Sequence, residues 1–322
     1  MALRDRPIHR RRLAACPAMP TCCRHRSAGA RMSSLAPAFS PPWQDRQGAF
    51  SPLKVAVLAA LFLPGLWLAA QAAQGALGGR PIMEAIHTTG LWAVRILWLS
   101  LLVTPLRQLF RWPRIMLVRR MVGLGALAYA LLHLVLYAAE LKWDLPKLAS
   151  EIVLRIYLTI GFVALLGLAV LGVTSTDGWV RRLGGRRWQA LHRVVYALAA
   201  LAVVHFALQS KIDVTEAVLM AGLLLWLLGY RLLAPKGGAP GLGRLALLAL
   251  GAALGTALVE AGWYAVATGV PPLPVLQANL DIDFGLRPAL WVGVAGAGAL
   301  ALRALFRLRE RLAPPRPARR GA

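Results

Sequence analysis

Four histidines fall in or beside long apolar stretches of this 322-residue chain: His87, His133, His192 and His205. An ionisable side chain at membrane depth is costly, so these positions are the first place to look for chemistry. Neutral imidazole is a good ligand for haem iron, and two imidazoles from facing helices hold a low-spin electron-transfer haem with no open axial position. Depth selects the pair. His133 lies about six residues and His205 about four from the outer ends of their stretches, which at about 1.5 Å per residue sets them at similar height. His192 precedes His205 by thirteen residues. That spacing puts it about 20 Å lower and about 140° round the helix, so it cannot join the same iron. It either ligates a second haem nearer the cytoplasm, although no histidine of another span shares its depth, or is a packed interfacial residue. His87, at the outer start of its span, is explained by solvation as well as by ligation. Tyr129 and Tyr137 flank His133 at one-turn spacing, and Trp188 and Tyr196 flank His192, as aromatic packing or an interface belt would have them.

Two arginines join these candidates. Arg95 falls inside the second apolar stretch and Arg155 near the outer start of the fourth. Few acids share their depth, which makes haem propionates candidate counter-charges and snorkelling to the interface the alternative. Arg119 and Arg120 could meet a flavin phosphate or a quinone at the cytoplasmic face, although topology signalling explains them more simply.

The elements that must position these residues are membrane helices. Hydrophobic residues make up 58% of the chain and the mean hydropathy is +0.59, well above an ordinary soluble domain. A hydrocarbon slab of about 30 Å takes about 20 apolar residues per helix. Eight such stretches are readable, at about residues 53–73, 85–106, 121–139, 152–173, 190–209, 214–233, 245–268 and 288–307. Pro64 and Gly65 interrupt the first, which a membrane helix tolerates when neighbours satisfy the freed backbone groups. Gly251 and Gly255 in the seventh would allow close helix packing. The reading is all-α: a polytopic transmembrane bundle with a six-helix core over 53–233, two additional helices over 234–308, a basic arm at 1–52 and a basic tail at 309–322. No soluble nucleotide-binding domain fits in what remains.

The net charge of +24 punctuates the apolar stretches and fills the arms. That pattern signals topology and not nucleic-acid binding. Arg107, Arg111, Arg114, Arg119 and Arg120 follow the second span, Arg181, Arg182, Arg186 and Arg187 the fourth, and Lys236 and Arg244 the sixth. Glu84, Glu140, Asp144, Glu151, Asp281 and Asp283 lie in the opposite loops. Both termini are therefore expected in the cytoplasm. Cys16, Cys22 and Cys23 all lie in the N-terminal arm. They can neither staple the bundle nor, with His9 and His25, make a zinc pattern. The arm has no apolar h-region of a signal peptide, and translation could begin at Met1 or Met32.

Several stretches together resemble one family. They are IHTTGLWAVRILWLSLLVTPLR from Ile86, RRMVGL from Arg119, LHLVLY from Leu132, YLTIG from Tyr157, LGVTST from Leu171, RWQALHRVVY from Arg187 and VHFALQSKI from Val204. In this order they are similar to the haem-binding membrane subunit of periplasmic methionine sulfoxide reductase systems, the MsrQ (YedZ) family, within the ferric-reductase-like transmembrane group. The resemblance implies b-type haem on His133 and His205, with His192 also supporting haem binding and His87 and Arg95 at family positions. It further implies FMN and electrons from quinol or a cytosolic flavin reductase. The partner would be a periplasmic, molybdopterin-containing, MsrP-like reductase that repairs oxidised methionine in proteins. The chain would sit in a bacterial inner membrane and deliver electrons without being the sulfoxide-reducing centre. Three features depart from the family: Ile156 stands where a proline is expected, the N-terminal arm is long, and two helices lie beyond the six-helix form. Other readings are a metalloreductase or oxidase with another acceptor, and a transporter that uses the histidines for proton relay or packing.

Overall fold

The structure is a computed structural model, and it describes residues 43–44, 49–211, 213–235, 238–283 and 285–312. Most of the N-terminal arm, with its three cysteines, His9 and His25, lies outside the described residues, as do Lys236 and the tail from residue 313. Among the described residues the chain forms helices α1 (Pro52–Ala73), α2 (Pro81–Leu109), α3 (Arg119–Glu140), α4 (Leu145–Leu154), α5 (Ile156–Val173), α6 (Asp177–His192), α7 (Val195–Ser210), α8 (Thr215–Leu233), α9 (Leu242–Thr268), α10 (Pro272–Ala278) and α11 (Pro288–Leu312), with a 3-10 turn at Pro113–Leu117. Eight helical stretches are long and apolar enough to cross a membrane, with α6 and α7 counted as one.

Proline opens α1, α2, α10 and α11 at or near the first position, where its missing N–H costs nothing. Pro64 lies inside α1, and the repair comes from α3. The Tyr129 hydroxyl accepts the Gly65 N–H at 2.8 Å and donates to the Leu61 carbonyl at 2.9 Å, which bridges the ladder beside the proline.

Two spans differ from the sequence reading. Residues 152–154, expected at the start of the fourth span, belong to α4, and the chain breaks at Arg155, whose backbone is extended (φ −107, ψ 106). The break occurs without the proline that Ile156 replaces, at the first position of α5 where a proline would fit. Thr159 Oγ1 donates to the Ile152 carbonyl at 2.5 Å and so satisfies an acceptor that the break releases. The fifth span, expected from Ala190, carries a two-residue turn at 193–194, between the end of α6 at His192 and the start of α7 at Val195.

Helix α2 is the hub of the bundle, touching α1, α3, α7, α8 and α11, while α5 packs on α3, α4 and α7. The two additional helices, α9 and α11, pack on each other and on α8. Of the two glycines expected to allow this, Gly255 does: a Cβ there would stand 3.2 Å from Leu225 Cδ1 of α8, whereas one on Gly251 would meet nothing within 4 Å. Gly222 of α8 and Gly296 of α11 are packed more closely still, against Thr256 Oγ1 and Ala249 Cβ. Contact depends on which face of the helix turns inward. At the basic end, Arg303 of α11 donates to the Leu109 carbonyl at 3.3 Å, and Arg111 pairs with Glu310 at 2.9 Å, so the ends of α2 and α11 lie together.

Candidate functional site

Helices α2, α3, α5 and α7 enclose a cavity of about 600 Å³, within the range of small-molecule and cofactor sites. Its walls are apolar, with Ile86, Leu91, Val94 and Leu97 from α2, Ala130 and Leu134 from α3, Phe162, Leu165 and Leu168 from α5, and Ala202 and Phe206 from α7. Polar groups gather toward one end: Glu84, His87, Tyr137, Arg155, Tyr157, Gln209, Ser210, Lys211, Asp213 and Glu216. His133 and His205 face each other across this space, their ring centroids 6.3 Å apart and their planes at 84°.

The two histidines are held in the same way. His133 Nδ1 lies 2.8 Å from the Ile86 carbonyl, and His205 Nδ1 lies 2.7 Å from the Tyr157 carbonyl. A carbonyl can only accept, so each Nδ1 carries the proton and each Nε2 keeps its lone pair. Each ring also rests on a glycine four residues after that carbonyl, on the same helix. A Cβ on Gly90 would stand 2.9 Å from His133 Nδ1, and one on Gly161 would stand 2.7 Å from His205 Nδ1 and Cε1. The bare backbone is what lets an imidazole reach a carbonyl already inside a helical turn. The stretches Ile86–Gly90 (IHTTG) and Tyr157–Gly161 (YLTIG) are thus two copies of one docking device.

This donor set suits a haem better than a bare ion. Among the described residues no group of three or more His, Cys, Asp or Glu could hold a metal ion. A bare transition metal takes about four protein ligands, whereas haem iron brings four nitrogens of its own and needs two more. A ring-centre separation of 6.3 Å matches one metal bound by two imidazoles at about 2.0 Å from each nitrogen. Hydrogen-bonding the far nitrogen to a carbonyl is the usual way to fix the tautomer and raise the basicity of a ligating histidine.

The remaining candidates are distributed differently. His87 and Arg155 line the cavity; Arg95 and His192 are not among its lining residues. The expectation that few acids share the depth of the two arginines is corrected. Arg95 Nη2 pairs with Glu216 Oε1 of α8 at 3.0 Å and lies 5.4 Å from the Trp92 ring centre. Its side chain leaves α2 toward the helix N-terminus, as side chains on a helix do, and so reaches the outer end of α8. Arg155 Nη2 pairs with Glu151 at 3.2 Å, and its Nη1 donates to the Tyr157 hydroxyl at 3.2 Å. His192 stacks on Trp188 with centroids 4.0 Å apart, and its Nε2 lies 3.3 Å from Thr174 Oγ1. The structure therefore brings His133 and His205 together and leaves His192 apart. Tyr129 and Tyr137 are not a passive belt, since the first holds α1 and the second bonds to Glu151 of α4. Sequence reasoning missed Gly90, Gly161, Glu151 and Glu216. The glycines were visible in the quoted stretches, but nothing in one dimension said which ring each would meet.

Comparison with known proteins gives the family. The family described as ferric reductase like transmembrane component matches residues 89–203, a segment that contains His133 and His192 and stops just short of His205. A Rhodospirillum rubrum protein described as protein-methionine-sulfoxide reductase heme-binding subunit MsrQ is 44% identical over 190 residues, which cover 59% of this chain and 89% of that protein. Proteins of the same description from Xanthomonas campestris pv. campestris and Xanthomonas axonopodis pv. citri are 45% and 44% identical over 179 residues, or 55% of this chain and 82% of each relative. No solved structure matches the chain.

Proposed function

The chain belongs to the MsrQ family of haem-binding subunits, and from that premise we propose that it is a b-type haem protein of the bacterial inner membrane that delivers electrons to a methionine sulfoxide reductase. The observation that carries this reading is the pair of imidazoles, 6.3 Å apart, facing one cavity. A haem held by two histidine nitrogens has no open axial position and supplies one-electron transfer when bound. His133 and His205 would hold it through Nε2, while the carbonyls of Ile86 and Tyr157 keep both rings in the required tautomer. His87 and Arg155, toward the polar end of the cavity, supply positive or hydrogen-bonding groups for its carboxylates. The apolar walls exclude water.

We further propose the direction of transfer. Electrons enter from the quinone pool or a cytosolic flavin reductase, with FMN as a second cofactor whose contacts are left unassigned. They leave to a periplasmic, molybdopterin-containing, MsrP-like reductase. The support is the clustering of arginine at the ends of α2 and α8 and in α6, the mark of a cytoplasmic face, and an even number of spans that sets both termini on that side. His133 and His205 then lie toward the periplasm, and the loops at 141–150 and 210–213 are the docking surface; residue 212 lies outside the described residues. We assign no haem to His192, whose Nε2 faces a threonine hydroxyl.

The test is the absorption spectrum of the purified chain and of two variants. A b-type Soret and alpha band is expected in the wild type, and its loss or severe reduction in His133→Ala and His205→Ala with membrane insertion intact. His87→Ala should have a smaller effect. Normal haem content in both ligand variants would refute the pairing, and a colourless wild type would favour a transporter or packing role.

A further inference from the structure

We propose that Glu151 is a positioning residue that joins α3, the helix of His133, to α5, the helix on which His205 docks, and holds the two rings at right angles. The proposal rests on the haem reading above. Helix α4, of 10 residues, is too short to cross a membrane by itself, yet its carboxylate is engaged on both oxygens. The Tyr137 hydroxyl donates to Glu151 Oε2 at 2.5 Å, and Arg155 Nη2 donates to Oε1 at 3.2 Å. Each arm leads to a histidine. Tyr137 stands one turn beyond His133 on α3 and so shares its helix face. Arg155 donates to the Tyr157 hydroxyl, while the carbonyl of the same Tyr157 accepts from His205 Nδ1 at 2.7 Å and its ring stacks on His205, with centroids 6.5 Å apart and planes at 26°. Only 16% of the Glu151 side chain is exposed, against 50% of Arg155, so the Tyr137 arm is the more sheltered of the two; both bonds are charge-assisted. The break at Arg155 delivers the carboxylate here, because a continuous helix from α4 into α5 would carry Glu151 and Tyr157 on one rigid rod.

The ring angle of 84° is the quantity this joint controls. In an oxidised low-spin haem, parallel imidazole planes split the two iron dπ orbitals, whereas perpendicular planes leave them close in energy and move the low-field EPR feature to still lower field. A glutamine at 151 keeps the shape but loses the charge: its amide oxygen can still accept from Arg155, without charge pairing, and the bond to Tyr137 must reverse, the amide N–H donating to the phenol oxygen. Both arms are weakened, which frees α3 to turn His133 and α5 to shift the carbonyl on which His205 docks.

The experiment uses the full-length haem-loaded chain and compares Glu151→Gln, Tyr137→Phe, the double variant and Val153→Ala. Val153 is a neighbour on α4 that is 76% exposed. Glu151→Gln and Tyr137→Phe are expected to move the low-field EPR feature to higher field and to shift the haem midpoint potential. The double variant should go no further than the larger single one, and Val153→Ala should match the wild type. Wild-type EPR and potential in both single variants overturn the proposal, as does a shift in Glu151→Gln with none in Tyr137→Phe, since a joint needs both arms. If Glu151→Gln fails to retain haem, Tyr137→Phe, which leaves the carboxylate and its arginine in place, decides the matter by the same two readouts. Absence of a b-type spectrum in the wild type would instead refute the proposed function.

Discussion

Replacing Gly161 by alanine should loosen haem without disturbing the membrane helix that carries the change. The new Cβ would stand 2.7 Å from Nδ1 and Cε1 of His205 and 3.0 Å from Cγ, against ordinary carbon contacts of about 3.5–4.0 Å. The ring must therefore retreat from α5 by about 1 Å. The Tyr157 carbonyl that fixes its tautomer lies on the same helix, one turn before Gly161, so the retreat also stretches a 2.7 Å hydrogen bond beyond useful length. Overpacking of this kind costs about 1–3 kcal/mol and the lost hydrogen bond about 1 kcal/mol. The helix itself gains about 1 kcal/mol from Gly→Ala, a folding contribution shared by the haem-free and haem-bound chain. The net penalty on haem binding is about 2–4 kcal/mol, or about 30- to 1,000-fold in affinity. Haem titration into protein produced under haem limitation, followed at the Soret band, measures it. Gly90→Ala should show a smaller loss, because its clash with His133 begins at 2.9 Å. Gly251→Ala, which meets nothing within 4 Å, should show none. Wild-type affinity in Gly161→Ala, or equal losses at Gly161 and Gly251, would refute the docking role given to the glycine.

Two further outcomes follow from the packing. Tyr129→Phe removes the hydroxyl that bridges Gly65 and Leu61 of α1; about 1 kcal/mol of stability should go. Hydrogen exchange at residues 61–65 should quicken while haem content stays the same. Glu260 is 1% exposed and accepts from Arg287 at 2.8 Å and from Asn279 at 2.7 Å. Glu260→Ala should therefore destabilise the chain by about 3 kcal/mol, toward the low end for a broken buried pair because Arg287 is partly exposed. Thermal unfolding in detergent measures that loss, and an unchanged transition would show that the cluster does not hold the loop before α11.

The span count and the pairing of His133 with His205 were legible in one dimension because each rests on a local quantity. An apolar run of about 20 residues must cross a bilayer wherever its neighbours lie. The helical rise converts distance from a span end into depth, so His133 and His205 could be matched in height without knowing which helices touch. The break at Arg155 was not read from the sequence, which ran the fourth span through it from residue 152; in the structure Thr159 Oγ1 satisfies the Ile152 carbonyl that the break frees.

Rotation about the helix axes and partnership between distant residues were decided only in three dimensions. Arg95 finds Glu216 from 121 positions away, where a depth argument limited to loop boundaries put few acids at its level. Gly251 and Gly255 were both expected to allow close packing, but α9 turns only Gly255 to its neighbour and Gly251 to open space, because residue type does not say which face turns inward. His192 resembles His205 in residue type and setting, yet it stacks on Trp188 while His205 meets its opposite number across a cavity. Composition and periodicity decide what a segment can be; which side chain each backbone carbonyl and bare glycine will meet depends on helix packing, and that is where the haem-sized site is made.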